Sequence, residues 1–69
     1  MTNTQKENIL WAFNFACEKF WKYQAEGNRE MRDYNNQEMI GMTKVIQYMG
    51  YEIVWNDERK FAIDIVEAK

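Results

Sequence analysis

The spacing of apolar residues predicts one long amphipathic helix in the first part of the chain. Apolar side chains recur in steps of three and four at Ile9, Phe13, Ala16, Phe20 and Tyr23. Such steps place them on one side of a helix. Thr4-Gln5-Lys6-Glu7 fits a capping box, and Gly27 suits the left-handed residue that commonly follows a helix. We therefore predict a helix over about residues 5–26.

Two aromatic residues lie outside this apolar stripe. At about 100° per residue, Trp11 and Phe15 fall on the opposite side of the helix, one turn apart and beside Glu18 and Lys22. Two such rings expose up to about 300–500 Å² of apolar surface, as much as the largest patch on a typical monomer. Either a loop or the C-terminal hairpin covers these rings, or they contact another molecule.

A second apolar stripe predicts a second helix over about 36–49. It contains Met39, Met42, Val45, Ile46 and Met49. Asn35 or Asn36 would cap the start of this helix, and Gly50 would end it. Gly41 lies inside it, at a cost of about 1 kcal/mol relative to Ala, and would allow the two helices to approach closely. The polar linker 27–35 is either a loop or a short helical turn capped by Asn28.

From Tyr51 onwards the period changes to two, which predicts a β-hairpin over about 51–66. The side chains predicted to face the helices are Tyr51, Ile53 and Trp55 on one strand and Phe61, Ile63 and Ile65 on the other. A turn at 56–59 connects the strands. Glu52 and Asp64 would be cross-strand neighbours, an arrangement that raises the pKa of a carboxyl group.

These elements predict an α+β fold in which two antiparallel helices are followed by a C-terminal β-hairpin, in one small domain over residues 1–69. A lone two-stranded sheet leaves both edges unpaired. A second copy that pairs with one edge would complete a four-stranded sheet. This is a route to a dimer that does not involve Trp11 and Phe15.

The length and composition favour self-association. A chain of 69 residues is marginally stable alone and usually needs a disulfide, a metal ion or a second subunit. One Cys and no His make an internal disulfide impossible and a zinc site unfavourable. We therefore expect a homo-oligomer, most simply a homodimer, with no cofactor and no metal.

The net charge of −2, with both signs mixed along the chain, argues against a nucleic-acid or membrane partner. No apolar run approaches the length of a membrane span, and no segment resembles a signal peptide. We expect a cytoplasmic protein with Cys17 reduced. Frequent Asn, Lys, Ile, Glu and Tyr with no Pro are typical of an AT-rich bacterial or phage source.

The residues needed for nucleophilic catalysis are missing. With no His and no Ser, neither a Ser–His nor a Cys–His pair can be built. The three Gly residues match no phosphate-binding loop. We therefore predict that the protein is not an enzyme; carboxylates acting across a subunit interface are a remote alternative.

The only concentration of basic residues is Lys19, Lys22, Arg29 and Arg32, near the end of the first helix. Positive charge there complements the helix dipole. Alternatively, Lys19, Arg29 and Arg32 could bind an anion while the nearby rings stack on a flat base.

The surplus aromatic surface and the missing catalytic groups predict a non-enzymatic interaction module. It would self-associate and bind a protein partner through Trp11 and Phe15, with Glu18 and Lys22 at the rim. The alternative is an oligomer that sequesters a nucleotide-like ligand. A phage-type inhibitor of a host defence enzyme could work in either way.

Overall fold

The first helix, α1, extends over Asn3–Glu26 in the computed structural model, which describes residues 1–69. The predicted cap at Thr4 and Glu7 is wrong: the capping box consists of Thr2 and Gln5, and each side chain bonds the other's backbone N–H, at 3.1 and 2.9 Å. Thr2-x-x-Gln5 satisfies the same pattern two residues earlier, so the helix gains two residues. Gly27 follows with φ +73°, as predicted.

The second helix, α2, extends over Arg29–Tyr48 and begins seven residues before its predicted start. Asn28 caps it, because its side-chain oxygen accepts from the Met31 backbone N–H at 3.2 Å. The predicted linker 27–35 is therefore reduced to Gly27 and Asn28. Asn35 is not a cap: it is buried inside α2 and donates to the Met31 carbonyl at 2.8 Å.

Strands β1 (Tyr51–Trp55) and β2 (Ala62–Glu67) form an antiparallel hairpin. Their connection spans 56–61 rather than the predicted 56–59. Asn56 organises this longer loop, because its side-chain oxygen accepts from the backbone N–H groups of Lys60 (2.8 Å) and Phe61 (3.1 Å). Arg59 takes a left-handed conformation there, with φ +57°.

A β-bulge changes which residues of β2 face the helices. Ile53 lies opposite Ile65, but Trp55 lies opposite Ala62, so that Ile63 is the extra residue of the bulge. Ala62 and Ile65 are buried, whereas Ile63 is 61% exposed. The predicted inward alternation of Phe61, Ile63 and Ile65 is therefore wrong at its first two positions, because an inserted residue reverses the side-chain direction on one side of it.

The complete molecule is a pair of helices with the hairpin packed against one side, as the sequence predicted. Phe13, Cys17 and Ala62 form the centre of the core, and Ile53 and Trp55 pack against it. Only seven of the 69 residues are buried. Neither helix is both long enough and apolar enough to cross a membrane.

Polar contacts attach the hairpin to α1. The Asn14 amide donates to the Ala62 carbonyl and accepts from the Ala62 N–H, both at 2.8 Å. The Trp21 indole donates to the Lys60 carbonyl at 3.2 Å, and Lys6 pairs with Asp64 at 3.2 Å. The side chain of Asn14 thus bonds the outer edge of β2 as a neighbouring strand would.

Candidate interaction surface

Trp11 and Phe15 form an exposed aromatic stack on α1. Trp11 is 70% exposed and Phe15 45% exposed, so the alternative in which a loop or the hairpin covers both rings is wrong. Their ring centroids are 5.4 Å apart and their planes differ by 10°. One turn further, the Lys19 ammonium lies 4.2 Å from the Phe15 centroid, within cation–π range. We call Trp11, Phe15 and Lys19 the aromatic column.

The two predicted rim residues, Glu18 and Lys22, lie on the same exposed side of α1. They do not form the ordinary ion pair expected of residues four apart; the Lys22 ammonium instead lies 5.6 Å from the Tyr23 ring. Both charges therefore remain unpaired with each other at the edge of the column.

A second apolar surface lies between the two helices. It is a groove of about 530 Å³ lined by Asn8, Ile9, Ala12, Gly41, Met42, Val45, Ile46 and Met49. No strand residue and no charged residue lines it. Val45 and Met49 are 57% and 55% exposed, although both belong to the apolar stripe of α2. The hairpin is too small to cover both sides of the helix pair, and helical periodicity alone does not reveal which side stays open.

Gly41 lies in this groove, and the structure of the chain itself does not require a glycine there. A Cβ atom built on Gly41 meets nothing within 4 Å, so the predicted role of this glycine in bringing α1 and α2 together is wrong. A glycine inside a helix costs about 1 kcal/mol relative to alanine. The open space at Gly41 faces outward and is available to another molecule.

The groove and the aromatic column are continuous. Asn8 and Ala12 line the groove, and each lies three residues before a member of the column, Trp11 and Phe15 respectively. Residues three apart are neighbours on a helix surface. We call this combined surface the open face.

The predicted anion-binding residues are not brought together. Arg29 and Arg32 line a small polar pocket beside Gly27, where Arg32 is already bonded to Gln24 (2.9 Å) and Asp33 (3.0 Å). Lys19 belongs to the aromatic column instead. Phe15 lies eight residues before Tyr23 of this pocket, which is about 12 Å along a helix. One small ligand would have to span that distance to use both sites.

The pKa shifts of Cys17 and Asp64 have structural causes and do not indicate catalysis. Burial raises the pKa of the Cys17 thiol to about 11, well above the range of reactive thiols. The Ile65 backbone N–H, and then Lys6, lower the pKa of Asp64, which is opposite to the predicted increase. Asp64 lies opposite Val54 and Glu52 opposite Val66, so the two carboxylates do not face each other. No three His, Cys, Asp or Glu side chains converge as metal ligands would.

No protein-family model, no curated protein and no solved structure matches this chain.

Proposed function

We propose that the protein is a non-enzymatic, self-associating interaction module that binds a protein partner through its open face. The observation that carries this proposal is the aromatic column, in which two stacked rings are left in solvent on the side of α1 opposite the core. Large aromatic rings expose much apolar surface to water, so burying them releases more free energy than burying smaller side chains. When a partner covers such rings, a few of them supply most of the binding energy.

The geometry of the column favours a binding role over a structural one. Aromatic residues, Trp and Phe among them, are enriched at the buried centre of protein interfaces. Trp is also enriched among the residues that contribute most to the binding energy. Because Trp11 and Phe15 already stack on each other in the free chain, less side-chain entropy is lost when a partner covers them in that arrangement. The unpaired charges of Glu18 and Lys22 at the edge match the polar rim of a protein interface.

The groove indicates the kind of partner. Its lining is apolar except for Asn8 and carries no charge, it runs between two antiparallel helices, and Gly41 opens it further. An amphipathic helix of the partner, with an apolar stripe towards the groove, fits this description. Such a helix would extend across the groove onto Trp11 and Phe15.

Site-specific photocrosslinking tests the proposal. A benzoylphenylalanine at Phe15 is expected to crosslink a second protein in the source cells. The same group at Phe61 is the matched control, because Phe61 is 37% exposed against 45% for Phe15 but lies in the hairpin loop. Equal crosslinking from both positions, or none from Phe15, would contradict the proposal.

The captured protein is then purified and its affinity measured by calorimetry. Trp11→Ala is expected to weaken binding by roughly 30-fold or more, because a central aromatic contact contributes about 2 kcal/mol or more. Phe61→Ala should change the affinity less than about threefold. Circular dichroism confirms that both variants fold. An affinity unchanged by Trp11→Ala would exclude the column as the binding site.

A nucleotide-like ligand is the competing function, and the same preparation tests it. A ligand that binds only the folded protein raises its melting temperature. We expect no shift with a panel of nucleotides, because Lys19 and the two arginines lie at separate places. A clear shift that Lys19→Gln abolishes would favour the nucleotide-binding alternative.

A further inference from the structure

The two edges of the hairpin differ in a way that the sequence does not reveal. The outer edge of β2 is occupied by side chains. Asn14 bonds both backbone groups of Ala62, and the Asp64 carboxylate accepts from the Ile65 N–H at 2.8 Å. Lys6 pairs with the same carboxylate. Side chains that bond outward-facing backbone groups keep an edge strand from pairing with another chain.

The outer edge of β1 has no such contacts. The Gly50 carbonyl accepts from Ala68, and the Asn56 N–H donates to Phe61, so the even-numbered residues of this segment bond the opposite strand. Because antiparallel strands alternate between bonded and unbonded pairs, the backbone groups of Tyr51, Ile53 and Trp55 point away from β2. No side chain and no other backbone segment bonds them.

We propose that two copies of the chain pair through β1, antiparallel about a two-fold axis at Ile53, to form a four-stranded sheet. This inference deepens the self-association part of the proposed function and assigns it to a surface separate from the open face. In this register Ile53 bonds Ile53 of the second copy in both directions. The backbone N–H and carbonyl of Tyr51 bond Trp55 of the second copy, and Trp55 in turn bonds Tyr51 of the second copy. Every outward-facing backbone group of β1 is then paired.

The side chains of β1 fit a second copy of the same strand. A two-fold interface requires a self-complementary surface. About Ile53, Glu52 meets Val54 of the second copy, so no two carboxylates face each other across the new pair. Like charges directly opposite each other would destabilise a strand pair. An axis at Glu52 would create that repulsion.

The cleft beside this edge supplies further apolar surface for the pairing. It measures about 400 Å³ and lies between β1 and α2; its lining includes the apolar residues Met39, Ile40 and Trp55 beside polar ones, among them Lys44. Ile40 is 40% exposed. In strand addition, backbone bonds supply affinity and neighbouring pockets hold side chains. The second copy would cover this cleft while the open face on the other side of the helices stays free.

Hydrogen exchange followed by NMR tests the proposal on the unmodified protein, with the mass measured by light scattering at each concentration. We expect a dimer at micromolar to submillimolar concentration. In it, the Tyr51, Ile53 and Trp55 amides should exchange at least tenfold more slowly than in the dilute monomer. The Ala62 amide serves as the internal control, because Asn14 protects it in both states.

Three results would overturn the proposal. They are a monomer throughout this range, a dimer whose β1 amides exchange as in the monomer, and protection of those amides only when a different protein is bound. A dimer that forms through β1 and still fails to crosslink at Phe15 would refute the partner-binding proposal alone. The two proposals therefore fail separately.

A matched pair of proline variants gives a second measurement. Tyr51→Pro removes a donor that faces away from β2, at the first residue of its strand, where proline is tolerated. Its dimer dissociation constant should rise roughly tenfold to hundredfold, because two intermolecular bonds are lost. Glu67→Pro makes the same change opposite Tyr51, on the other edge, and should leave the constant unchanged. Equal effects of the two variants would contradict pairing through β1.

Discussion

Replacement of Asn14 should destabilise the fold more than any other change to a polar side chain of α1. Its amide makes two bonds of 2.8 Å to Ala62, which is only 5% exposed. A typical hydrogen bond contributes about 0.5–1.5 kcal/mol, and a buried group left without a partner costs about 1–3 kcal/mol. Asn14→Ala should therefore lower the free energy of unfolding by about 2–3 kcal/mol.

This loss is large for a chain of 69 residues. In a domain of 60–100 residues, 1 kcal/mol changes the melting temperature by about 4–8 °C, so we expect a decrease of roughly 8–24 °C. Asn14→Asp tests the two bonds separately, because a carboxylate can still accept from the Ala62 N–H but cannot donate to the Ala62 carbonyl. Its second oxygen would instead lie against that carbonyl. It should be destabilising as well.

Asn8→Ala is the matched control, because Asn8 lies on the same helix, is exposed and makes no side-chain hydrogen bond. Both alanine variants gain the same intrinsic helix propensity. Urea unfolding followed by circular dichroism measures the difference, and exchange of the Ala62 amide reports the contact directly. Equal midpoints for Asn14→Ala and Asn8→Ala would refute the view that this amide attaches the hairpin.

Three further predictions concern the interior, the sheet edge and the groove. Cys17 should resist a thiol reagent until urea unfolds the chain. Because folding raises its pKa from 9.0 to about 11, stability should fall between those pH values, and less so in Cys17→Ala. Folding lowers the pKa of Asp64, so the Asp64 carboxylate stabilises the fold above its ordinary pKa, and this contribution is lost as pH falls through the folded pKa. In Asp64→Asn, the melting temperature should therefore decrease less steeply as the pH is lowered through the acid range. Gly41→Ala should raise the melting temperature by about 4–8 °C, and a decrease would mean that the site is crowded. If a partner helix packs against Gly41, the same variant should bind it more weakly in calorimetry.

The helices and the strand order could be predicted because they depend on local patterns. Apolar spacing of three and four, a glycine after each helix and a change of period at Tyr51 are all visible in the sequence. The start of α2 was missed because Asn28 and Asn35 are both good caps, and only the buried position of Asn35 distinguishes them. Local propensity does not contain that information.

The candidate surface was only half predictable. Helical geometry placed Trp11 and Phe15 opposite the apolar stripe, but it left open whether a loop or the hairpin covers them, and only the structure shows both rings exposed. The groove at Gly41 could not be predicted, since Val45 and Met49 have the spacing of core residues and only tertiary packing leaves them uncovered. The same holds for β2, where one inserted residue moved Ala62 inward and Ile63 outward. A period-two pattern does not show where a bulge occurs.

The two-residue connection at Gly27 and Asn28 also determines how quickly the chain can fold. It joins α1 to α2 directly, and Met49 and Gly50 join α2 to β1, so most contacts link segments that are neighbours in sequence. Closing short loops costs little entropy, and chains rich in such contacts fold in microseconds to milliseconds. The two helices should therefore pack first, and the hairpin should dock last, when the Asn14 amide forms its two hydrogen bonds with the Ala62 backbone.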